Sequence, residues 1–260
     1  MAVFRNSPVL AAAILALLAS SQAHAQGGPP YYTTDPGTPG PNSWEINFGY
    51  MPFLYNGSSV AHIPDADINY GIGDRLQLTL ETAWLRVKDG TANAKYGLEQ
   101  DQAGVKWRFI DDDKTNFGVS IFPQFSFTDP GTHGYQRGIN PPGASLLLPM
   151  EFTKKIGPID VNWEVGYNLV HLGHNGWEAG LVIGHDVTKN LEVDIESYNI
   201  GAWNNTGNFQ TLDAGARYKL KPPFILLFMA GRSTARASDT QASFVGYFGV
   251  QILLPPKPFQ

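Results

Sequence analysis

The sequence predicts an all-β chain, a closed antiparallel transmembrane β-barrel of about twelve strands preceded by a cleavable signal peptide. Three observations predict it. Segments of alternating apolar and polar residues recur along most of the chain, and tight turns take turns with longer connections between them. Beyond the leader, no stretch approaches the roughly 18 uninterrupted apolar residues that a spanning helix requires, so any membrane crossing must use strands. A composition with 43% hydrophobic and only 16% charged residues fits a barrel better than a soluble enzyme. The lack of cysteine removes disulfides and thiolate chemistry.

Residues 1–25 read as the leader. Arg5 supplies the positive end, Val9–Leu18 is an apolar run too short to span, and Ala23-His24-Ala25 offers a small-x-small cleavage pattern before Gln26. Losing Arg5 makes the formal charge of −5 more negative by one, a mild acidity that argues against nucleic acid as a partner. Residues 26–42 are rich in Pro, Gly, Tyr and Thr, which cannot hold a strand ladder, and form a candidate plug. Residues 43–254 form the barrel as one domain, and 255–260 are a tail.

Within the barrel, the tight connections are Gly71–Asp74, Asp111–Asp113, Ile156–Pro158, Thr188–Asn190 and Lys221–Pro223. The longer ones lie near Phe53–Ser58, Lys88–Tyr96, Thr128–Pro142, His171–Gly176, Gly201–Asn208 and Thr234–Thr240, with the fourth shorter than the others. An outer-membrane barrel keeps short turns on the periplasmic side and longer loops outside. The strands alternate with period 2: Leu76, Leu78, Leu80 and Trp84 against Arg75, Gln77, Thr79 and Glu81; Val161, Trp163 and Val165 against Asp160, Asn162 and Glu164; Leu191, Val193 and Ile195 against Glu192, Asp194 and Glu196. Trp84, Trp107, Trp163, Trp177 and Tyr218 suit interfacial girdles. Phe244, Phe248, Val250, Ile252 and Leu254 share a face of the last strand, the kind of terminal strand that barrel assembly machinery recognises.

Particular segments carry a family resemblance. Asp35–Pro41 leading into Trp44-Glu45-Ile46-Asn47, then Pro64–Gly71 followed by Asp74–Leu78, with Gly104–Phe109 and Ser120–Gln124, resemble the outer-membrane transporter proteins grouped with the MetA-pathway phenol degradation family. The resemblance implies an outer-membrane barrel that passes hydrophobic or aromatic compounds.

The alternation places one acid-rich wall inward: Asp160, Glu164, Glu178, Glu192, Asp194, Glu196 and Asp213. A second sector carries Arg75, Lys106 and Arg108 with Asp65, Asp67 and Glu81. Charged walls of this kind either select a permeant or fill the lumen as a salt-bridge network. Counting from the turns puts Asp67 diagonal to Arg75, Glu192 opposite Arg217, and Glu196 opposite Asp213, a like-charge contact that needs a cation, a proton or a basic neighbour. The segment around Phe224–Met229 is apolar on both faces, so Leu227 and Met229 need an apolar cover inside. The N-terminal segment folded in through Tyr31 and Tyr32, or a greasy ligand path assisted by Phe122 and Tyr247, would supply it.

Other chemistry is weakly supported. His171 and His174 with Glu178 have the residue types of a metal site without its spacing, and Asp111–Asp113 reads as a solvated turn, so no metal or cofactor is expected. Ser145 and Ser197 lack a suitably placed histidine, and Gly71-Ile72-Gly73 opens no helix. The expectation is a non-enzymatic outer-membrane channel for small molecules, exported and seated in outer-membrane lipid. A closed structural barrel is the alternative, with an outer-membrane hydrolase behind it.

Overall fold

In a computed structural model, residues 27–111, 115–141, 143–204 and 208–256 are described. The expected leader, Asp112, Asp113, Pro142 and the end of the C-terminal tail lie outside the described residues. Fourteen strand segments are present: β1 (Trp44–Leu54), β2 (Ser58–Ile72), β3 (Leu76–Asp89), β4 (Lys95–Leu98), β5 (Asp101–Ile110), β6 (Phe117–Ile121), β7 (Gln124–Phe127), β8 (Ser145–Ile156), β9 (Ile159–Val170), β10 (Gly176–Thr188), β11 (Leu191–Ala202), β12 (Phe209–Lys219), β13 (Phe224–Ser233) and β14 (Phe244–Leu254). They build twelve staves, because β4 with β5 and β6 with β7 are broken halves of single ones: β4 and β5 both pair with β3, and β6 and β7 both pair with β8. The second break falls at Phe122-Pro123, where proline has no N–H to give the ladder. The Val105 N–H donates to the Pro123 carbonyl and the Phe122 N–H to the Pro149 carbonyl, carrying the wall across the gap.

All pairings are antiparallel, and β1 pairs with β14 from Trp44 opposite Leu254 to Leu54 opposite Phe244, so the sheet closes and no edge is left for lipid to satisfy. Trp44 and Leu254 define one rim, called here the near rim. The first loop at the far rim, residues 55–57, is as short as a turn, so the alternation of connection lengths fails there as well as at residues 171–175.

The distribution of side chains is inside-out. Leu78, Val105, Trp107, Val165, Ile195 and Phe248 expose apolar surface outward from five staves, whereas Asn47, Glu151, Asn162, Glu164, Glu192, Asp194, Glu196 and Arg217 are buried inside. A surface this apolar on all sides is stable in hydrocarbon. Aromatics cluster towards both rims, with Trp44 on Tyr70 and Trp107 on Phe109 near one, and Tyr167 on Trp203 near the other.

Candidate functional site

The site is the lumen, and its wall divides by what occupies it. Residues 27–42 run inside the barrel against the β8–β12 side. They leave the near rim where the Asn42 N–H donates to the Gly71 carbonyl at 2.9 Å and Thr38 Oγ1 donates to the Asp74 carbonyl at 3.2 Å. They rise to mid-height and turn back, the Gly28 N–H donating to the Thr33 carbonyl at 2.7 Å.

Three consecutive amides at the top of this hairpin meet carboxylates of the wall. The Tyr32 and Thr33 N–H groups donate to Glu196 of β11 at 3.1 and 2.6 Å, and the Thr34 N–H donates to Glu164 of β9 at 3.1 Å. Thr34 Oγ1 donates to Glu164 and to Glu151 of β8. On the descending side, Arg217 of β12 donates to the carbonyls of Gly27, Gly28 and Pro29 while holding Glu192 at 3.0 Å. Lys106 of β5 donates to the Asp35 carbonyl and pairs with Glu151 at 3.2 Å. The segment lacks a ladder of its own, so these side chains satisfy backbone groups that would otherwise be buried and bare.

Glycines in the wall make the approach sterically possible. A Cβ at Gly180 would lie 2.1 Å from Thr33 Oγ1, one at Gly215 2.6 Å from the Tyr31 hydroxyl oxygen, and one at Gly71 1.9 Å from the Gly40 carbonyl oxygen. Tyr31 packs in an apolar cluster with Met51, Val182, Leu227, Met229, Val245 and Tyr247, so the inner face of β13 is covered by the segment and by Tyr247 together. Tyr32 stacks on Tyr198 with ring centroids 4.9 Å apart.

Beside the segment lies a cavity of about 280 Å³, lined by the β1–β3, β5 and β14 side and reaching Leu147, Glu164, Glu178 and Tyr198 of the opposite wall. Asp65, Asp67, Glu81, Gln102, Met51, Phe53 and Tyr247 line part of it.

The expected lumen residues fall into three groups. Glu164, Glu192, Glu196, Lys106 and Arg217 are buried and engaged as described, with Asp194 at 4.0 Å from Arg217 and Asp213 directly opposite Glu196. Glu178 accepts a bond from the Tyr198 hydroxyl at 2.9 Å. Asp67 and Glu81 face the cavity. Phe122 is buried beneath the Lys106 ammonium, 4.7 Å from its ring centroid, apart from the Leu227 cluster.

Arg75 departs from expectation, whereas Arg108 keeps the inward face of β5 with Gly104 and Lys106. Arg75 lies exposed in the β2–β3 turn, because Ile72 and Leu76 are the last paired residues. The contact of Asp67 with Arg75 therefore does not form, and Asp67 opposes Glu81. Arg108 reaches the near rim, donating to the Asp74 carbonyl at 2.6 Å. The early strands thus present no basic sector to the cavity beyond Lys106 and His62 among its described lining residues. His171 and His174 lie in the β9–β10 loop while Glu178 is buried in the wall, and no metal-binding cluster of three or more acidic or histidine side chains is found among the described residues.

No family model and no curated protein matches this chain. Solved structures do. An outer-membrane channel from Pseudomonas putida F1 is similar over 88% of this chain and all of its own, with a TM-score of 0.63 at 11% identity. The NanC porin is similar over 82% of this chain and all of its own, with a TM-score of 0.56 at 8% identity. These barrels share the fold of this chain.

Proposed function

We propose that this chain is an outer-membrane channel for small molecules whose lumen is narrowed from the near rim by residues 27–42, with hydrophobic or aromatic compounds as the cargo. The observation that carries the reading is the cavity left beside a segment held by hydrogen bonds rather than by a continuous strand ladder. Support also comes from the shared fold with proteins described as a channel and a porin. The apolar lining residues Met51, Phe53 and Tyr247 suit the cargo that the family resemblance implies. On this reading the near rim faces the periplasm, the wall is solvated by outer-membrane lipid, and the leader is removed on export.

Planar-bilayer recording of the full chain against a variant lacking residues 27–42 tests it. Small conductance steps from the full chain and steps several-fold larger from the variant are expected, since lumen cross-section limits flow. The complete burial of Val182, Leu227 and Thr33 favours a second reading, a closed structural barrel. Folded protein without conductance steps in either form would select it.

A further inference from the structure

The cavity has one wall whose charges the N-terminal segment does not use. A cross-strand row runs through Gln251, Asn47, Asp67, Glu81 and Gln102, each directly opposite the next on β14, β1, β2, β3 and β5. Glu45 and Asp65 stand two residues from this row along their own strands, on the same face. Among the described residues, the basic side chain tied to this patch by ion pairing is His62, 3.5 Å from Asp65 and 3.6 Å from Glu99. Lys106 is held by Glu151.

The row also has more acceptors than donors. Asn47 Nδ2 donates to Glu45 at 3.2 Å and to Asp67 at 3.0 Å, and Asn69 Nδ2 donates to Asp67 at 2.9 Å. Asp67 Oδ1, on the cavity lining, is buried without a hydrogen-bond partner, as are Asn47 Oδ1 and Gln251 Oε1 in the wall behind it. Buried acceptors left bare are costly, and here they coincide with a surplus of negative charge. A ligand that settles both carries several N–H donors and a positive charge. Beside the row, Tyr247 adds aromatic surface to the same cavity, its ring against Gly49, while Phe53 lines the cavity farther along β1 on His62.

We infer that this patch recognises a compact organic ammonium ion, its N–H groups on Asp67 and Glu81 and its apolar body against Tyr247. The inference rests on the channel reading and names the cargo's charge. Aromatic faces beside a cation add attraction of their own.

Benzylammonium, benzyl alcohol and benzoate have nearly the same size and differ in charge, so they separate this idea from simple passage of aromatics. Reversal potentials in planar bilayers at pH 8 give benzylammonium against benzoate, and vesicle uptake gives benzyl alcohol. Benzylammonium is expected to permeate at least about tenfold better than benzoate, the lower end of what focused charge does to local ion concentration. In the variant Asp67→Asn with Glu81→Gln, whose folding is checked by heat-dependent gel mobility, the ratio should fall towards one while conductance steps persist. A ratio near one in the unmodified chain overturns the inference, as does a ratio unchanged in the variant. Potassium preferred over chloride with benzylammonium excluded overturns it too, leaving an inorganic cation filter. Absence of conductance from folded protein overturns the channel reading itself.

Discussion

Glu196 and Glu81 are both lumen-facing glutamates, each directly opposite an aspartate of the next strand, Asp213 for one and Asp67 for the other. Their surroundings differ completely. Glu196 is 1% exposed and accepts two backbone N–H groups from Tyr32 and Thr33, whereas Glu81 is exposed to the cavity. Cross-strand register places two like charges together in both cases, and a third party decides the outcome. On the β8–β12 side that party is the N-terminal segment, which turns wall carboxylates into anchors. On the β1–β3 side it is open space, which leaves Glu81 available and Asp67 bonded through one oxygen, to Asn47 and Asn69.

The occupied wall depends most on Arg217. It is 2% exposed, pairs with Glu192 at 3.0 Å and caps three carbonyls of the returning segment. Arg217→Ala strands Glu192 as a buried charge and releases the segment, and should destabilise the barrel by about 3–5 kcal/mol. The temperature at which the folded form loses its gel mobility measures this. A shift no larger than that of a surface variant would show that the pair holds nothing.

Gly180→Val tests the seat instead of the anchors. Its added side chain would meet Thr33 at a distance no Cβ tolerates, with a cost of about 1–3 kcal/mol that the molecule escapes by expelling the segment. Protease cleavage within residues 27–42 should appear and conductance should rise, with the strands unaffected. Glu196→Gln is milder. The amide keeps one acceptor for the Thr33 N–H and relieves the contact with Asp213, so the loss is about 1 kcal/mol. Conductance and its pH dependence should both change. Identical records from variant and parent would remove Glu196 from any role in holding the segment.

How much of this was legible in the sequence follows from what each contact depends on. Stave number and lumen face are written in the period-2 pattern, because a one-residue error would put Glu192, Asp194 and Glu196 into lipid. The pairs Glu192 with Arg217 and Glu196 with Asp213 are reached by counting across one connection. The same counting fails for Asp67 because the β2–β3 turn takes three residues, Gly73 to Arg75, and lifts Arg75 out of the ladder. The broken staves at Glu99-Gln100 and Phe122-Pro123 obscure the early strands in a similar way. The path of residues 27–42 was hardest to read, because its contacts are backbone amides and carbonyls that carry no residue signature. The signal that could have located it was subtler: inward glycines at 71, 180 and 215 beside a wall whose carboxylates outnumber its bases.

The smallest expected effect sharpens the comparison by holding pair chemistry constant. Lys155 and Asp160 are directly opposite on β8 and β9 near the near rim, 3.5 Å apart, in the same cross-strand relation as Arg217 and Glu192. The lysine side chain is 39% exposed, where both partners of the inner pair are 2% exposed. Asp160 itself is 4% exposed, but the lysine that covers it stands in water, which screens the attraction and enters the space the lysine leaves, so Lys155→Ala should cost about 1 kcal/mol, and less in high salt. A double-mutant cycle on each pair isolates the coupling, which should be several-fold larger for the inner one. Equal couplings would mean that water reaches Arg217 as freely as it reaches Lys155, and the occupied wall would then differ from the open one in shape alone.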